Sequence, residues 1–321
     1  MYKFYKYHGA GNDFFIADNR SGRYTLSADQ IRRLCDRHTG FGADGVMLLE
    51  NSDSGVFRMV YYNPDGSTGM MCGNGGRCIV SFAADLGLVT PGERFSFEAP
   101  DGLHQAEILP APPVAEPVSP VAEPAPSAVS PASPVAEPVE ATSSQTTEFL
   151  RQPDQPERTV RLKMKDVTES EYFLKGGISF FDTGARHIVK FVKGLNEYPV
   201  RAEGPVLRRN RRFAPAGVNV NFVEPTSVDG VRILNIRTFE KGVEDETLAC
   251  GTGIVAAALA AFSQGFIGGL RPDGRVSVVV RAAIASLTVD FFPGINGSRF
   301  TASDIWLTGP SDFVGTVEIM L

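Results

Sequence analysis

Two stretches of the chain open in the same way, with a cysteine and a glycine-rich turn: CGNGGRCIVSFAADLG at residues 72–87 and CGTGIVAAALAAF at residues 250–262. In the first stretch, Ile79, Phe82 and Leu86 recur at helical spacing. The second stretch is apolar on every side, which is typical of a helix that is buried inside a sheet. The sequence therefore predicts two buried helices, each of which starts directly after a cysteine.

The repeated opening indicates an internal duplication. Cys72 and Cys250 lie 178 residues apart, which is about one domain length once a proline-rich insertion between them is left out. Strands should dominate the rest of the chain, together with a helix at residues 27–34 that Ser27 caps. The runs that we interpret as strands are Phe14–Ala17, Gly45–Leu49, Phe57–Tyr62, Arg158–Met164, Ile188–Val192, Val218–Val223 and Val276–Val280.

A cysteine at a helix start lies in a particular electrostatic environment. The first turn of a helix carries unpaired N–H groups and about half a positive charge, which stabilise a thiolate and lower a thiol pKa that is about 8.5 when free. If Cys72 and Cys250 face each other, one thiolate can remove a proton from a carbon while the opposite thiol delivers one. No lysine lies in a recognisable pyridoxal phosphate site. The pattern predicts racemisation or epimerisation of an amino acid without a cofactor.

Composition excludes several classes of protein. The 321 residues correspond to about two domains, and a net charge of −6 leaves no basic face for nucleic acid or an anionic membrane. The longest apolar run, Ile254–Phe262, is far shorter than the ~20 residues of a membrane helix, and the N-terminus lacks the apolar core of a secretory signal. Four cysteines without a CxxC pair and four scattered histidines predict neither a disulfide scaffold nor a metal site. We therefore expect a cytoplasmic protein without a metal.

One segment differs in composition from the rest of the chain. Ten of the 22 prolines lie between Pro110 and Pro138, and the unit PVAEP starts at Pro113, Pro120 and Pro134. Proline removes backbone donors and disfavours both helices and central strands. We interpret residues 109–157 as an exposed, largely disordered insertion that acts as a spacer rather than as a partner motif.

Beyond the two cysteine turns, longer motifs resemble those of the diaminopimelate epimerase family. The N-terminal motifs are HGAGNDF at residues 8–14, GFGADG at 40–45, NPDGS at 63–67 and CGNGGRC at 72–78. The C-terminal motifs are NVNF at residues 219–222, FEKG at 239–242 and ETLACGTG at 246–253. They follow one another in the order of that family and span nearly the whole chain except the insertion.

The resemblance implies an α+β fold of two pseudo-symmetric domains with the active site in the cleft between them. Each domain is a curved, mostly antiparallel sheet wrapped around a central helix. The N-terminal domain would comprise residues 1–108 and 310–321, with the strand Val314–Ile319 returning to it, and the C-terminal domain would comprise residues 158–309. A homodimer is expected because the family often forms one.

The resemblance also implies a reaction and a set of site residues. The family interconverts LL- and meso-2,6-diaminopimelate without pyridoxal phosphate or metal, on the route to lysine and peptidoglycan, so the partner is a small amino acid. Cys250 would accept the α-proton of the LL isomer and Cys72 would donate a proton, with the roles exchanged in reverse. The residues implied in substrate binding are Gly73, Asn74, Gly251 and Thr252 at the reacting carboxylate, and Asn12, Asn63, Asn219, Glu240 and Lys241 elsewhere; His187 and Glu240 would tune the thiols or grip the ammonium groups.

Some positions depart from the pattern of the family. Ala185 stands where the family usually has asparagine, and Lys241 stands where it usually has arginine, which is the better bidentate partner for a carboxylate. The run at residues 242–246 is also one residue longer than the common spacing. We hypothesise that Arg186 supplies the missing guanidinium.

Alternative interpretations remain at this stage. A racemase of proline or hydroxyproline would use the same architecture, and a thiol–disulfide redox protein would use the same two cysteines. Cys35 and Cys78 are expected to pack in the core. Asn12 and Asn63 also suit turns, which would explain them without a role in substrate binding.

Overall fold

The computed structural model of the protein describes residues 1–69, 71–110, 157–297 and 299–320. Most of the predicted insertion, residues 111–156, lies outside the described residues, so its disorder and its role as a spacer stay predictions. No helix in the described ranges has both the length and the apolar character to cross a membrane.

Four α-helices occur in the described residues, and local sequence explains where the best defined of them begin. Helix α1 (Ala28–Cys35) starts with a capping box between Ser27 and Gln30. Helices α2 (Gly73–Asp85) and α4 (Gly251–Ser263) start directly after Cys72 and Cys250, as the two stretches predict. Helix α3 is Val200–Arg208.

The strands form one continuous sheet in the described residues. The first seven are β1 (Tyr2–Gly9), β2 (Asn12–Asp18), β3 (Gly45–Glu50), β4 (Arg58–Tyr62), β5 (Arg94–Ala99), β6 (Gly102–Ile108) and β7 (Arg158–Lys163). The others are β8 (Tyr172–Lys175), β9 (Ile178–Asp182), β10 (Arg186–Phe191), β11 (Asn219–Val228), β12 (Val231–Glu240), β13 (Asp245–Thr247), β14 (Val276–Arg281), β15 (Ser286–Asn296) and β16 (Arg299–Ile319). The sheet runs in the order β1 to β7, then β16, β15, β14, β12, β11, β10, β9 and β8.

Strand pairing repeats between the two parts of the chain. From β1 to β7, successive pairs are antiparallel, parallel, antiparallel, parallel, antiparallel and antiparallel. The series β9, β10, β11, β12, β14, β15 and β16 has the same six relations in the same order. We call these two series, with α2 and α4 respectively, the first and second halves. The repeat supports the duplication expected from the two cysteine turns.

Each half wraps its sheet around one buried helix. Residues 254–261 of α4 are all fully buried, and α2 is buried from Asn74 to Asp85. Helices α1 and α3 pack in separate apolar clusters outside the central core. This arrangement confirms the predicted fold class, although the two curved sheets of the prediction are joined into one continuous sheet whose halves each enclose a central helix.

Strand β16 is much longer than the predicted strand at residues 314–319. It extends over 21 residues because it pairs in turn with β15, β7 and β1, and the last of these pairings returns the chain to the first half as expected. Hydrogen bonding also continues from β6 to β7. The domain boundaries at residues 108, 158 and 309 stay predictions.

Removal of the insertion is expected to leave a folded and active protein. Ile108 pairs with Val160, and the Leu109 N–H donates to the Thr159 carbonyl at 2.9 Å, so β6 and β7 meet where the insertion begins and ends. We expect replacement of residues 111–155 by Gly-Ser-Gly-Ser to raise the free energy of unfolding by about 1–2 kcal/mol, because a shorter loop loses less entropy on closure. Urea denaturation and steady-state kinetics test this, and loss of folded protein would contradict it.

Candidate active site

The two predicted cysteines lie at helix N-termini that meet between the halves. Cys72 and Cys250 are the N-cap residues of α2 and α4, and both are partly exposed. A Cβ placed on Gly73 would lie 3.9 Å from the Gly251 Cα atom, and one placed on Gly251 would lie 3.7 Å from the Gly73 Cα atom. The two helix ends therefore approach each other at these two glycines.

The first turns of both helices offer free backbone donors. The first intrahelical bonds run from the N–H groups of Gly76 and Ile254 to the carbonyls of Cys72 and Cys250. The preceding N–H groups, at residues 73–75 and 251–253, have no partner within their helices. The N–H groups of Asn74 and Gly75 are directed at the Cys72 thiol and that of Gly253 at the Cys250 thiol, so Gly73, Gly251 and Thr252 offer the donors that suit a carboxylate.

The pKa values of both thiols are raised, contrary to the lowering expected from their position. Burial raises the pKa of Cys250 to about 12, and the nearby Glu240 carboxylate adds to the increase. Burial also raises the pKa of Cys72, although the N–H groups of Gly75 and Asn74 lower it. The helix N-terminus acts in the expected direction, but desolvation is the larger effect.

On the Cys72 side, the Asn74 side chain joins the two halves. Its amide donates to the Asn12 side-chain oxygen and, at 3.1 Å, to the carbonyl of Ala249, the residue before Cys250. The Asn12 amide in turn donates to Asp44 at 3.0 Å. Asn12 and Asn74, both predicted from the resemblance, therefore lie at the contact between the halves.

On the Cys250 side, His187 supports the start of α4. His187 Nε2 lies 2.8 Å from Thr252 Oγ1, which lies 3.6 Å from Cys250 Sγ, and His187 Nδ1 lies 3.1 Å from the Asn221 amide. Burial lowers the pKa of His187 to about 3, so its ring is neutral at physiological pH. His187 therefore reaches the Cys250 thiol only through Thr252, and its ring carries no charge.

Glu240 lies within electrostatic reach of both thiols. Thr247 Oγ1 donates to its carboxylate at 2.8 Å, and burial raises its pKa. Its charge raises the pKa of Cys72 and that of Cys250. A carboxylate in this position suits an ammonium group of a bound amino acid.

The other predicted residues are less directly placed. Asn219 is buried and accepts the Lys241 backbone N–H at 2.8 Å, whereas the Lys241 side chain is exposed. Asn63 donates to Ser67 at 3.0 Å, a contact that turn formation explains. Cys35 and Cys78 are buried, which agrees with their expected packing.

Arg186 faces away from the cysteines. Successive side chains of a strand point to opposite faces, and its neighbour His187 points to α4. The Arg186 guanidinium instead lies 5.5 Å from the centre of the Phe180 ring and donates to the Phe213 carbonyl at 3.4 Å. This placement is against the hypothesis that Arg186 supplies the guanidinium of the site.

Sequence reasoning missed three residues around the site: Tyr61, Arg77 and Asn221. Tyr61 lies against Gly45, where a Cβ would come 2.5 Å from its ring, and its pKa is raised by burial and, to a smaller extent, by the charge of Cys72. Arg77 lies within the CGNGGRC motif, and the feature that could have marked it is a charged residue in a predicted helix with almost no other charge. No sequence signal marks Asn221 apart from its NVNF motif.

The β1–β2 turn of the first half contacts the second half close to Cys250. Gly11, in the β1–β2 turn, has a φ of 94°, and a Cβ at this position would clash with Ile284 and lie 3.0 Å from Leu248. Leu248 precedes Cys250 by two residues.

In the described residues, no three side chains of histidine, cysteine, aspartate or glutamate gather into a group that could hold a metal ion.

Solved structures share this fold. A phenazine biosynthesis protein of the PhzF family from Bacillus anthracis has a TM-score of 0.61 and 14% identity, covering 100% of this chain and 99% of that chain. A probable proline racemase from Agrobacterium radiobacter K84 has a TM-score of 0.60 and 15% identity, covering 100% of this chain and 93% of that chain. The duplicated sheet and its paired helices thus define a protein with the fold of proline racemases and PhzF proteins.

Within that class, the chain belongs to the diaminopimelate epimerase family and is an isomerase that acts on a small molecule. The family model described as diaminopimelate epimerase matches residues 4–113 and 179–289. A diaminopimelate epimerase from Chlorobaculum tepidum is 40% identical over 97% of this chain and 99% of that protein. Another, from Flavobacterium psychrophilum, is 34% identical over 97% of this chain and 98% of that protein. These relatives confirm the resemblance inferred from the motifs.

Proposed function

We propose that this protein epimerises LL-2,6-diaminopimelate to meso-diaminopimelate in lysine and peptidoglycan precursor synthesis, with Cys72 and Cys250 as its acid and base. The observation that carries the proposal is the meeting of two cysteine-capped helix N-termini at Gly73 and Gly251. Family membership supports the substrate, and the contacts around the two cysteines support the mechanism.

The reaction begins with the substrate carboxylate on the free N–H groups of the two helices, around Gly73, Asn74, Gly251 and Thr252. The Cys250 thiolate removes the α-proton of the LL isomer, and the carbanion that forms is stabilised by the two helix ends. The Cys72 thiol delivers a proton to the opposite face of the carbon. The protein is left with a Cys250 thiol and a Cys72 thiolate, which is the state that starts the reverse reaction.

The remaining residues bind the substrate or influence the thiols. Glu240 receives an ammonium group of the substrate, and His187 holds Thr252 beside Cys250. Asn12, Asn63, Asn219 and Lys241 bind the rest of the molecule. No pyridoxal phosphate or metal takes part.

The proposal extends to the organisation of the protein. It comprises an N-terminal domain of residues 1–108 and 310–321 and a C-terminal domain of residues 158–309, joined by the insertion. It works as a homodimer in the cytoplasm, and its partner is the amino-acid substrate rather than nucleic acid or a membrane.

One assay tests the function against its alternatives. Reduced protein is incubated in D₂O with LL-diaminopimelate, with proline and with an oxidised dithiol, and deuterium at the α-carbon is followed by NMR. We expect deuterium to enter diaminopimelate alone as the meso isomer forms. Deuterium in proline alone would indicate a proline racemase, and dithiol exchange without any α-deuteration would indicate a redox protein.

A further inference from the structure

Arg77 is a buried cation without a carboxylate partner. Its residue is 0% exposed, and in the part of the chain that the structure describes no ion pair forms with it. Its guanidinium donates instead to three neutral oxygens: Asn74 Oδ1 at 2.8 Å, the Pro310 carbonyl at 3.1 Å and the Gly73 carbonyl at 3.3 Å. A buried charge that is not neutralised is costly, so an anion that forms nearby would stabilise it.

The thiols of Cys72 and Cys78 are the groups near Arg77 that can become negative. Cys78 is fully buried, and burial raises its pKa to about 12, so it stays a thiol at physiological pH. Cys72 is partly exposed in the site and receives the N–H groups of Asn74 and Gly75. The anion that Arg77 can balance is therefore the Cys72 thiolate.

The second half has no such cation. Arg77 lies five residues after Cys72, and the residue five positions after Cys250 is Val255, which is fully buried. The Glu240 carboxylate opposes ionisation of both thiols. At Cys72 the N–H groups of Gly75 and Asn74 and the Arg77 guanidinium oppose its effect, whereas no cation among the described residues does so at Cys250. The two cysteines therefore lie in unequal electrostatic environments although the backbone around them repeats.

Arg77 also sets the orientation of Asn74. Because the guanidinium holds the side-chain oxygen, the amide of Asn74 points to Asn12 and to the Ala249 carbonyl of the second half. The same arginine reaches Pro310 in β16. It thus ties together the start of α2, the shared strand and the segment that leads into Cys250.

We propose, on the basis of the two-cysteine mechanism above, that Arg77 is a positioning residue with two effects. It fixes the Asn74 bridge between the halves. In a cysteine pair that carries one negative charge, it also places the thiolate on Cys72 and leaves the proton on Cys250. The substrate-free enzyme then rests in the state that starts the reverse reaction, from meso- to LL-diaminopimelate. Forward turnover requires the proton to move from Cys250 to Cys72 between cycles.

The groups that face each thiol define the pH dependence of the pair. Cys72 is faced by Arg77 from α2, by Tyr61 from β4, by Glu240 from β12 and by Cys250 from α4. Cys250 is faced by Glu240 and Cys72, and the neutral His187 reaches it only through Thr252. Of these groups, Arg77 alone is a cation.

The test measures each cysteine separately. Reduced, substrate-free protein is alkylated with iodoacetamide between pH 7 and pH 11, and mass spectrometry gives the rate at each cysteine peptide. The pH dependence of each rate gives a midpoint that does not depend on access, and a Cys250 rate that still rises at pH 11 gives a lower bound for its midpoint. We expect the Cys72 midpoint to lie at least about one pH unit, or tenfold in proton affinity, below that of Cys250. We expect R77Q to raise the Cys72 midpoint by about one unit and R77K to keep it within half a unit.

The control is R158Q, because Arg158 also binds α2, at Ser81 and Asp85, but at the opposite end of the helix from Cys72. R158Q is expected to lower the thermal midpoint without moving either alkylation midpoint. Equal or reversed alkylation midpoints of the two cysteines in the protein without substitutions would overturn the proposal even if R77Q did not fold. Equal shifts in R77Q and R77K would overturn the role of the charge.

Steady-state kinetics complete the test. R77Q and R77K are both expected to raise KM for diaminopimelate by about tenfold, because neither side chain restores the fork that holds Asn74, and unchanged KM in both would overturn the bridging role. A different result is that the protein without substitutions shows the expected alkylation midpoints and yet introduces no deuterium into diaminopimelate in D₂O. That result would refute the proposed function and leave the placement of the thiolate intact.

Discussion

Replacement of either Cys72 or Cys250 by alanine is expected to lower kcat for diaminopimelate epimerisation by at least about 10³-fold, within the range that a single general acid or base contributes. Inversion needs one proton removed and another delivered from opposite faces, so neither cysteine can act for both. Coupled spectrophotometric assays or chiral chromatography of the two isomers measure the loss.

The single-cysteine variants also separate exchange from inversion. In C72A, Cys250 can still remove the α-proton of LL-diaminopimelate and return a deuteron to the same face in D₂O. In C250A, Cys72 can do the same at the D-configured carbon of the meso isomer. We expect slow deuteration with retained configuration in each case. Inversion at the normal rate by either variant would rule out the two-cysteine mechanism.

Cys78 provides the matched control for both substitutions. It lies on α2, six residues after Cys72, and it is fully buried. C78A is expected to cost about 1 kcal/mol of unfolding free energy, as an average core substitution does, and to keep kcat within about twofold. A loss of activity in C78A as large as in C72A would mean that the alanine variants report damage to α2 rather than loss of an acid or base.

Replacement of Glu240 by glutamine is expected to lower kcat/KM for diaminopimelate by about 10²-fold, since a hydrogen bond to a charged group contributes about 1.5–3 kcal/mol. The amide keeps the size of the carboxylate and can still accept from Thr247, but it has no charge to offer a substrate ammonium group. The same substitution changes the pH profile. Because the Glu240 carboxylate raises the pKa of both thiols, its removal lowers these pKa values, and the acidic limb of kcat/KM moves to lower pH.

Glu244 is the control for Glu240. It lies four residues further on, is exposed, and pairs with Arg208 and Arg209 at the surface. We expect E244Q to leave both kcat/KM and the position of the acidic limb unchanged, because a solvent-exposed pair has little influence on a buried thiol. An acidic limb in E240Q that stays in place or moves to higher pH would contradict the assigned electrostatic role of Glu240.

Much of the fold follows from local pattern. The cysteine–glycine turns define where α2 and α4 begin, and the Ser27 capping box defines where α1 begins. These features could be predicted because capping and helical periodicity depend on residues within one or two turns. The length of β16 could not, because it depends on pairing with three strands that are distant in sequence.

The electrostatics of the site are less accessible to sequence. A cysteine at a helix start predicts a lowered pKa, yet burial by both halves reverses the sign for Cys72 and Cys250. The neutral state of His187 and the bridge from Asn74 to Ala249, 175 residues away, likewise arise only in the folded protein. Desolvation is a property of the assembled core and has no counterpart in a motif.

The position of β16 in the chain has a consequence for how the protein is made. A ribosome releases residues in order, and β16, the last strand of the second series, emerges after β1 and β7, the two strands of the first half with which it pairs. Until β16 is synthesised, the first half lacks the strand that pairs with both β1 and β7. During that interval the unpaired edges of these strands are exposed to chaperones or to neighbouring nascent chains.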